Sequence, residues 1–156
     1  MRLDDWLSSG DLQRQPASRT EIARLCDIVA RDLADAQATA LSVDGRFNTA
    51  YDAAYALCLI VLRAAGYRVR GSSAGHHWLA FALLPEIMGP AAGARARYYQ
   101  ACRRKRHQAT YERTGVASAV ELEELMRDVA AFRAEVLAWL KQHHPDLAGP
   151  DGTGQC

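Results

Sequence analysis

The sequence is poor in several things that would otherwise decide its class. No stretch approaches the ~20 consecutive apolar residues of a membrane-spanning helix, so a helical membrane protein is excluded. Cysteine occurs 4 times, as Cys26, Cys58, Cys102 and Cys156, with no CxxC pair and no histidine at zinc-finger spacing. That pattern argues against a zinc ribbon. The first three fall inside helical patterns, where a free cysteine acts as a small buried hydrophobe. Met1–Gly10 carries acids where a secretory leader needs a basic start and an apolar run, so a reducing cytoplasm is the expected compartment. No alternating strand pattern and no internal repeat is visible. Net charge is also close to absent, at +1, and composition by itself predicts no nucleic-acid partner.

Alanine supplies many of the apolar residues, which favours close-packed helices over sheet. At 156 residues the chain fits one domain, by the prior of roughly 100–200 residues each. The pattern predicts an all-α fold, an antiparallel bundle of four to five helices. Residues 1–17 read as a helical turn and connector, 18–144 as the bundle, and the Gly-rich 145–156 as a disordered tail.

Within the bundle, Ser18 and Glu21 form a capping-box pattern. They open a first helix whose apolar positions recur at helical spacing to about Leu41. Asp44 is the expected cap of a second helix over 46–65. Phe47, Tyr51, Ala54, Leu57, Cys58 and Val61 make that helix apolar nearly all round, the mark of a central element. Gly66 stops it. A third helix is expected over 74–87, with Trp78, Phe81, Ala82 and Leu84 inward and Pro85 kinking it or ending it early. After Gly89-Pro90 a fourth runs over 91–111. Ser118 and Glu121 form a second capping box, opening a fifth helix that ends near His143–Pro145.

The fourth helix carries the chemistry. Between Arg95 and Arg113 every charge except Glu112 is positive, whereas Glu121, Glu123, Glu124 and Asp128 make the next segment acidic. Residues three, four and seven apart share a helix face. Arg97, Gln100, Arg104, His107 and Tyr111 therefore make one polar stripe, with Ala94, Tyr98, Ala101, Cys102 and Ala109 on an adjacent side suited to the core. Arginine's planar fork suits phosphate, and a neighbouring imidazole can move protons near neutral pH. Arg104, His107 and Tyr111 are the catalytic candidates, and Arg97, Arg103, Arg106 and His77 the ligand-binding ones. The competing readings are a solvated charged face for Arg103–Arg106 and a buried structural ring for Tyr111. His76 and His77 point in different directions on a helix and make a poor chelate, so no metal and no cofactor is expected.

These residues resemble the HEPN superfamily of small prokaryotic helical-bundle domains. The likeness runs from about Asp4 to Leu140. It rests on Asp5-Trp6-Leu7-x-x-Gly10, Arg31-Asp-Leu-x-Asp-Ala36, Arg46-Phe-x-x-Ala-Tyr51-x-Ala-x-x-Ala56, Gly66-Tyr-Arg68, His76-His77 and Arg103-Arg-Lys-Arg-His107-x-x-x-Tyr111-Glu. The resemblance implies a homodimer whose motif-bearing helices meet at a cleft. Many members are metal-independent ribonucleases, often toxins paired with a nucleotidyltransferase-like antitoxin. Others bind RNA, nucleotides or proteins without catalysis. Active members carry an arginine followed, after four to six residues, by a histidine. Here Tyr111 takes that place relative to Arg104 and Arg106, and a phenol is a poor general base near pH 7. The expectation is therefore a phosphate-, RNA- or nucleotide-binding module of a toxin–antitoxin or related defence system, with a degenerate motif. An active ribonuclease toxin and a purely structural dimerisation domain are the alternatives.

Overall fold

The computed structural model describes residues 2–71 and 76–149. The chain runs α1 (Leu3–Ser9), β1 (Leu12–Arg14), α2 (Arg19–Ala36), α3 (Val43–Ala64), β2 (Tyr67–Val69) and α4 (His76–Ala82). It continues through α5 (Leu84–Met88), a 3-10 turn (Pro90–Ala92), α6 (Gly93–Tyr111) and α7 (Ala119–His143). This is the predicted helical bundle, with one small sheet added.

The central helix is α3, as its all-round apolar pattern requires. Phe47, Tyr51, Leu57 and Ile60 are fully buried along it, and it packs against α2, α6 and α7. Its buried alanines, Ala50, Ala53, Ala54 and Ala56, present only methyl groups and leave room for neighbouring helices to approach. Arg46 near its start donates to the Ala36 carbonyl (2.8 Å), and Arg63 near its end donates to Glu21, so α2 and α3 run antiparallel. Arg95–Asp128 and Lys105–Glu121 set α6 and α7 antiparallel in the same way.

Both predicted capping sequences open helices, but only one forms a complete capping box. Ser118 accepts from the Glu121 amide while Glu121 accepts from the Ser118 amide. Ser18 accepts from the Glu21 amide, yet the Glu21 carboxylate is drawn off to Arg63 (2.8 Å) and Arg68 (2.9 Å). Asp44 does not cap α3; Ser42 does, accepting from the Gly45 amide. Asp44 instead accepts from the amides of Gly115 (2.7 Å) and Ala117 (3.0 Å), holding the α6–α7 connection.

The expected connector is built into the fold. β1 pairs antiparallel with β2, Leu12 opposite Val69 and Arg14 opposite Tyr67. Leu12 joins Leu62, Leu79 and Leu83 in a second core, on which Leu3, Trp6 and Leu7 pack. The expected third helix is broken: α4 ends at Ala82 and α5 takes Pro85 into its first turn, where a missing N–H costs least. Its expected start, Ala74, lies outside the described residues. Trp78 also departs from expectation, being 41% exposed while Phe81 and Leu84 are buried. Cys58 and Cys102 are the buried free thiols expected. Cys26 is buried too but is disulfide-bonded, which its helical spacing alone does not signal. After α7 the chain turns back, with Arg19 donating to the Asp146 carbonyl (3.1 Å) and Ala148 buried. The rest of the expected tail, 150–156, lies outside the described residues.

Candidate functional site

The α6 helix sorts its cations by depth. Its buried residues are Ala96, Tyr99 and Cys102. Ala94 and Ala101, expected on the core side, face solvent instead. The inward arc is thus rotated towards Tyr99, whose ring fills the space between Phe81 and Phe132.

Three basic residues are committed to internal contacts. Arg95 pairs with Asp128 (3.2 Å) and Glu135 and lies over the Phe132 ring at 4.9 Å. Lys105 pairs with Glu121. Arg106 turns towards α3, 3.3 Å from Asp52 and over the Tyr51 ring at 5.3 Å. This inward position differs from the ligand-facing one the sequence suggests for Arg106.

The predicted stripe is otherwise a physical surface. Arg97, Arg104, His107 and Tyr111 are all exposed, and Gln100 is half-buried between them. Among the described residues neither Arg97 nor Arg104 forms an ion pair. Arg103 donates to Gln100, from Nε to Oε1 at 3.1 Å. His107 sits 4.0 Å from the Glu112 carboxylate and 5.0 Å, centroid to centroid, from the Tyr111 ring. Tyr111 is 71% exposed, so it is not the buried structural ring weighed above.

His77 belongs to a different cluster. Its ring stacks on Tyr55 at 3.8 Å, and its Nδ1 lies 2.7 Å from the Tyr51 hydroxyl. Burial pushes the Tyr51 phenol up, against the opposing pull of Arg106 and Arg103. The phenol therefore stays protonated and shares a hydrogen bond with Nδ1. Burial likewise holds the Asp52 carboxyl above its ordinary range, again opposed by Arg106. His77 and Arg106 thus meet Tyr51 at different places, one at its hydroxyl and one over its ring. Of the candidates, Arg97, Arg104, His107 and Tyr111 share the exposed side of α6 and Arg103 is half-buried at its edge, while Arg106 and His77 converge on α3. His76 opens α4, but its side chain lies outside the described residues.

On the far side of α6 a groove of about 860 Å³ separates it from α7, lined by Arg95, Tyr98, Glu124 and Asp128. None of the stripe residues lines it. No metal-ligating group of three histidines, cysteines or acids occurs among the described residues.

Sequence reasoning missed one residue beside the stripe. Gln100 donates from Nε2 to the Trp78 carbonyl (2.8 Å), so exposed Trp78 is tied to the middle of the arginine face. An aromatic at helical spacing reads as core, and here the exposure of Trp78 shows otherwise. No protein-family profile, no curated protein and no solved structure matches the chain.

Proposed function

We propose that this chain is a HEPN-like helical module that binds the phosphates of RNA or of a nucleotide on the outer face of α6. The observation that carries the reading is the division of labour among its cations. Arg95, Lys105 and Arg106 are neutralised by carboxylates, whereas exposed Arg97 and Arg104 meet no carboxylate among the described residues. A guanidinium left in water keeps its full charge and its fork of donors for a phosphate. Binding is favoured over catalysis because His107 and Tyr111 stand open to solvent, where oriented proton transfer has little support.

The test is the double substitution Arg97→Ala with Arg104→Ala, measured by RNA binding across a salt series. Each phosphate contact on a single strand contributes roughly 0.7 to the slope of log K against log salt. Losing both should lower the slope by about 1.4 and weaken binding at low salt. An unchanged slope would remove α6 as the phosphate-binding face.

A further inference from the structure

The phosphate reading names a charge but not the form of its ligand. Trp78 does. It is 41% exposed although Leu79, Ala80 and Phe81, which follow it on α4, are all buried. The indole is not loose: it meets Trp6 edge to face, at 5.4 Å and 70° between planes. Such a contact occupies at most one face of the Trp78 ring. Behind it, a polar chain runs without a break from α4 to the basic helix. The Trp78 carbonyl accepts from Gln100 Nε2, and Gln100 Oε1 accepts from Arg103 Nε. The orientation of the tryptophan segment is therefore fixed relative to the arginines.

At the other end of the stripe stands Tyr111, the second exposed ring. Eleven helical steps of α6 separate it from Gln100, about 16 Å along the axis at 1.5 Å per residue. Exposed Arg97 and Arg104 lie on the same helix face. Rings on which bases can stack, set beside cations that follow a backbone, are the combination used for unpaired nucleic acid. A duplex hides its base faces, and a free phosphate or polyphosphate has none.

We infer that the α6 face binds single-stranded nucleic acid, with a base stacked on Trp78 and the backbone along Arg97, Arg103 and Arg104. The inference rests on the phosphate reading above and adds the ligand's strandedness. Trp78 is a specificity-determining residue in this view, separable from the arginines that supply charge.

The experiment compares three probes on the purified chain: a short oligoadenylate, the same oligonucleotide in a duplex, and inorganic polyphosphate. The single strand should bind more tightly than either of the others. Trp78→Ala should weaken oligoadenylate binding about 5- to 150-fold, the range for one base–aromatic stack, and leave polyphosphate binding unchanged. Trp78→Phe should recover most of the loss. Should Trp78→Ala prove poorly folded, wild-type tryptophan emission gives a second readout, quenched by oligoadenylate but not by polyphosphate. Equal loss for both ligands, no loss for either, tighter duplex binding or absent quenching would each overturn the inference. If polyphosphate binding depends on Arg97 and Arg104 while Trp78→Ala is silent, the phosphate reading stands and this inference falls. If the wild type binds none of the three probes, both fall.

Discussion

Replacing Arg63 with methionine should unfasten one end of the bundle. Arg63 is 4% exposed and its guanidinium is shared among four partners on other segments. Nε and Nη2 donate to the Glu21 carboxylate (2.8 and 3.0 Å), Nη1 to the carbonyls of Gln15 and Tyr67 (2.9 and 2.7 Å), and Nη2 also to Pro16 (3.3 Å). Methionine keeps most of the apolar stem but leaves the Gln15 and Tyr67 carbonyls without that donor, at about 1–3 kcal/mol for each unsatisfied buried acceptor. Glu21 keeps Arg68 (2.9 Å) and remains partly in water, so its own share of the loss is small. The total is about 3–5 kcal/mol, in line with breaking a buried pair by removing one partner. For a domain of this size that is a fall in Tm of roughly 6–20 °C.

The same contact fixes the pH dependence. The hydrogen bond from Arg63, more than any other favourable influence, holds the Glu21 carboxyl below its ordinary value. A depressed carboxyl contributes stability above its unfolded pKa and loses it as pH falls through the lower folded value. Wild-type stability should therefore drop below about pH 4, and the variant should lose less over the same interval. Urea melts at neutral and acid pH measure both effects. A loss under about 1 kcal/mol, or an acid slope equal to that of the wild type, would refute the reasoning.

Two further outcomes follow from the described contacts. Burial pushes the Cys102 thiol up to about 12 and raises that of Cys58 as well. Neither should react with iodoacetamide in the native protein at pH 8, and both should react in urea; prompt native labelling would show that the core opens. RNA incubated with the wild type should stay intact. Cleavage that persists in EDTA and slows by about 10²–10⁴-fold in His107→Ala would restore the ribonuclease alternative.

The helices were legible wherever one signal decided them. Ser118 and Glu121 mark the start of α7 to the residue, and the apolar run of α3 identifies the central helix. The sheet was not legible, because β1 and β2 are three residues each and too short to show alternation. Nor was the Glu21 side chain, whose local partner at Ser18 loses to a buried arginine 42 positions later. At the site, spacing put Arg97, Arg104, His107 and Tyr111 on one face. It could not tell which arginines would find carboxylates, since Arg106 and Asp52 meet only through packing. Trp78 looked like core because its spacing matches that of its buried neighbours.

The uneven neutralisation along α6 also determines how a polyanion would meet this protein. With a formal net charge of +1, the molecule exerts almost no monopole attraction on a distant strand. Its field is dipolar, and beyond a Debye length of about 8–10 Å in physiological salt it is largely extinguished. Encounter would then proceed at the unassisted rates of neutral surfaces, about 10⁵–10⁶ M⁻¹s⁻¹ rather than the steered limit. On the proposed reading, Arg97 and Arg104 would act after contact, by slowing departure.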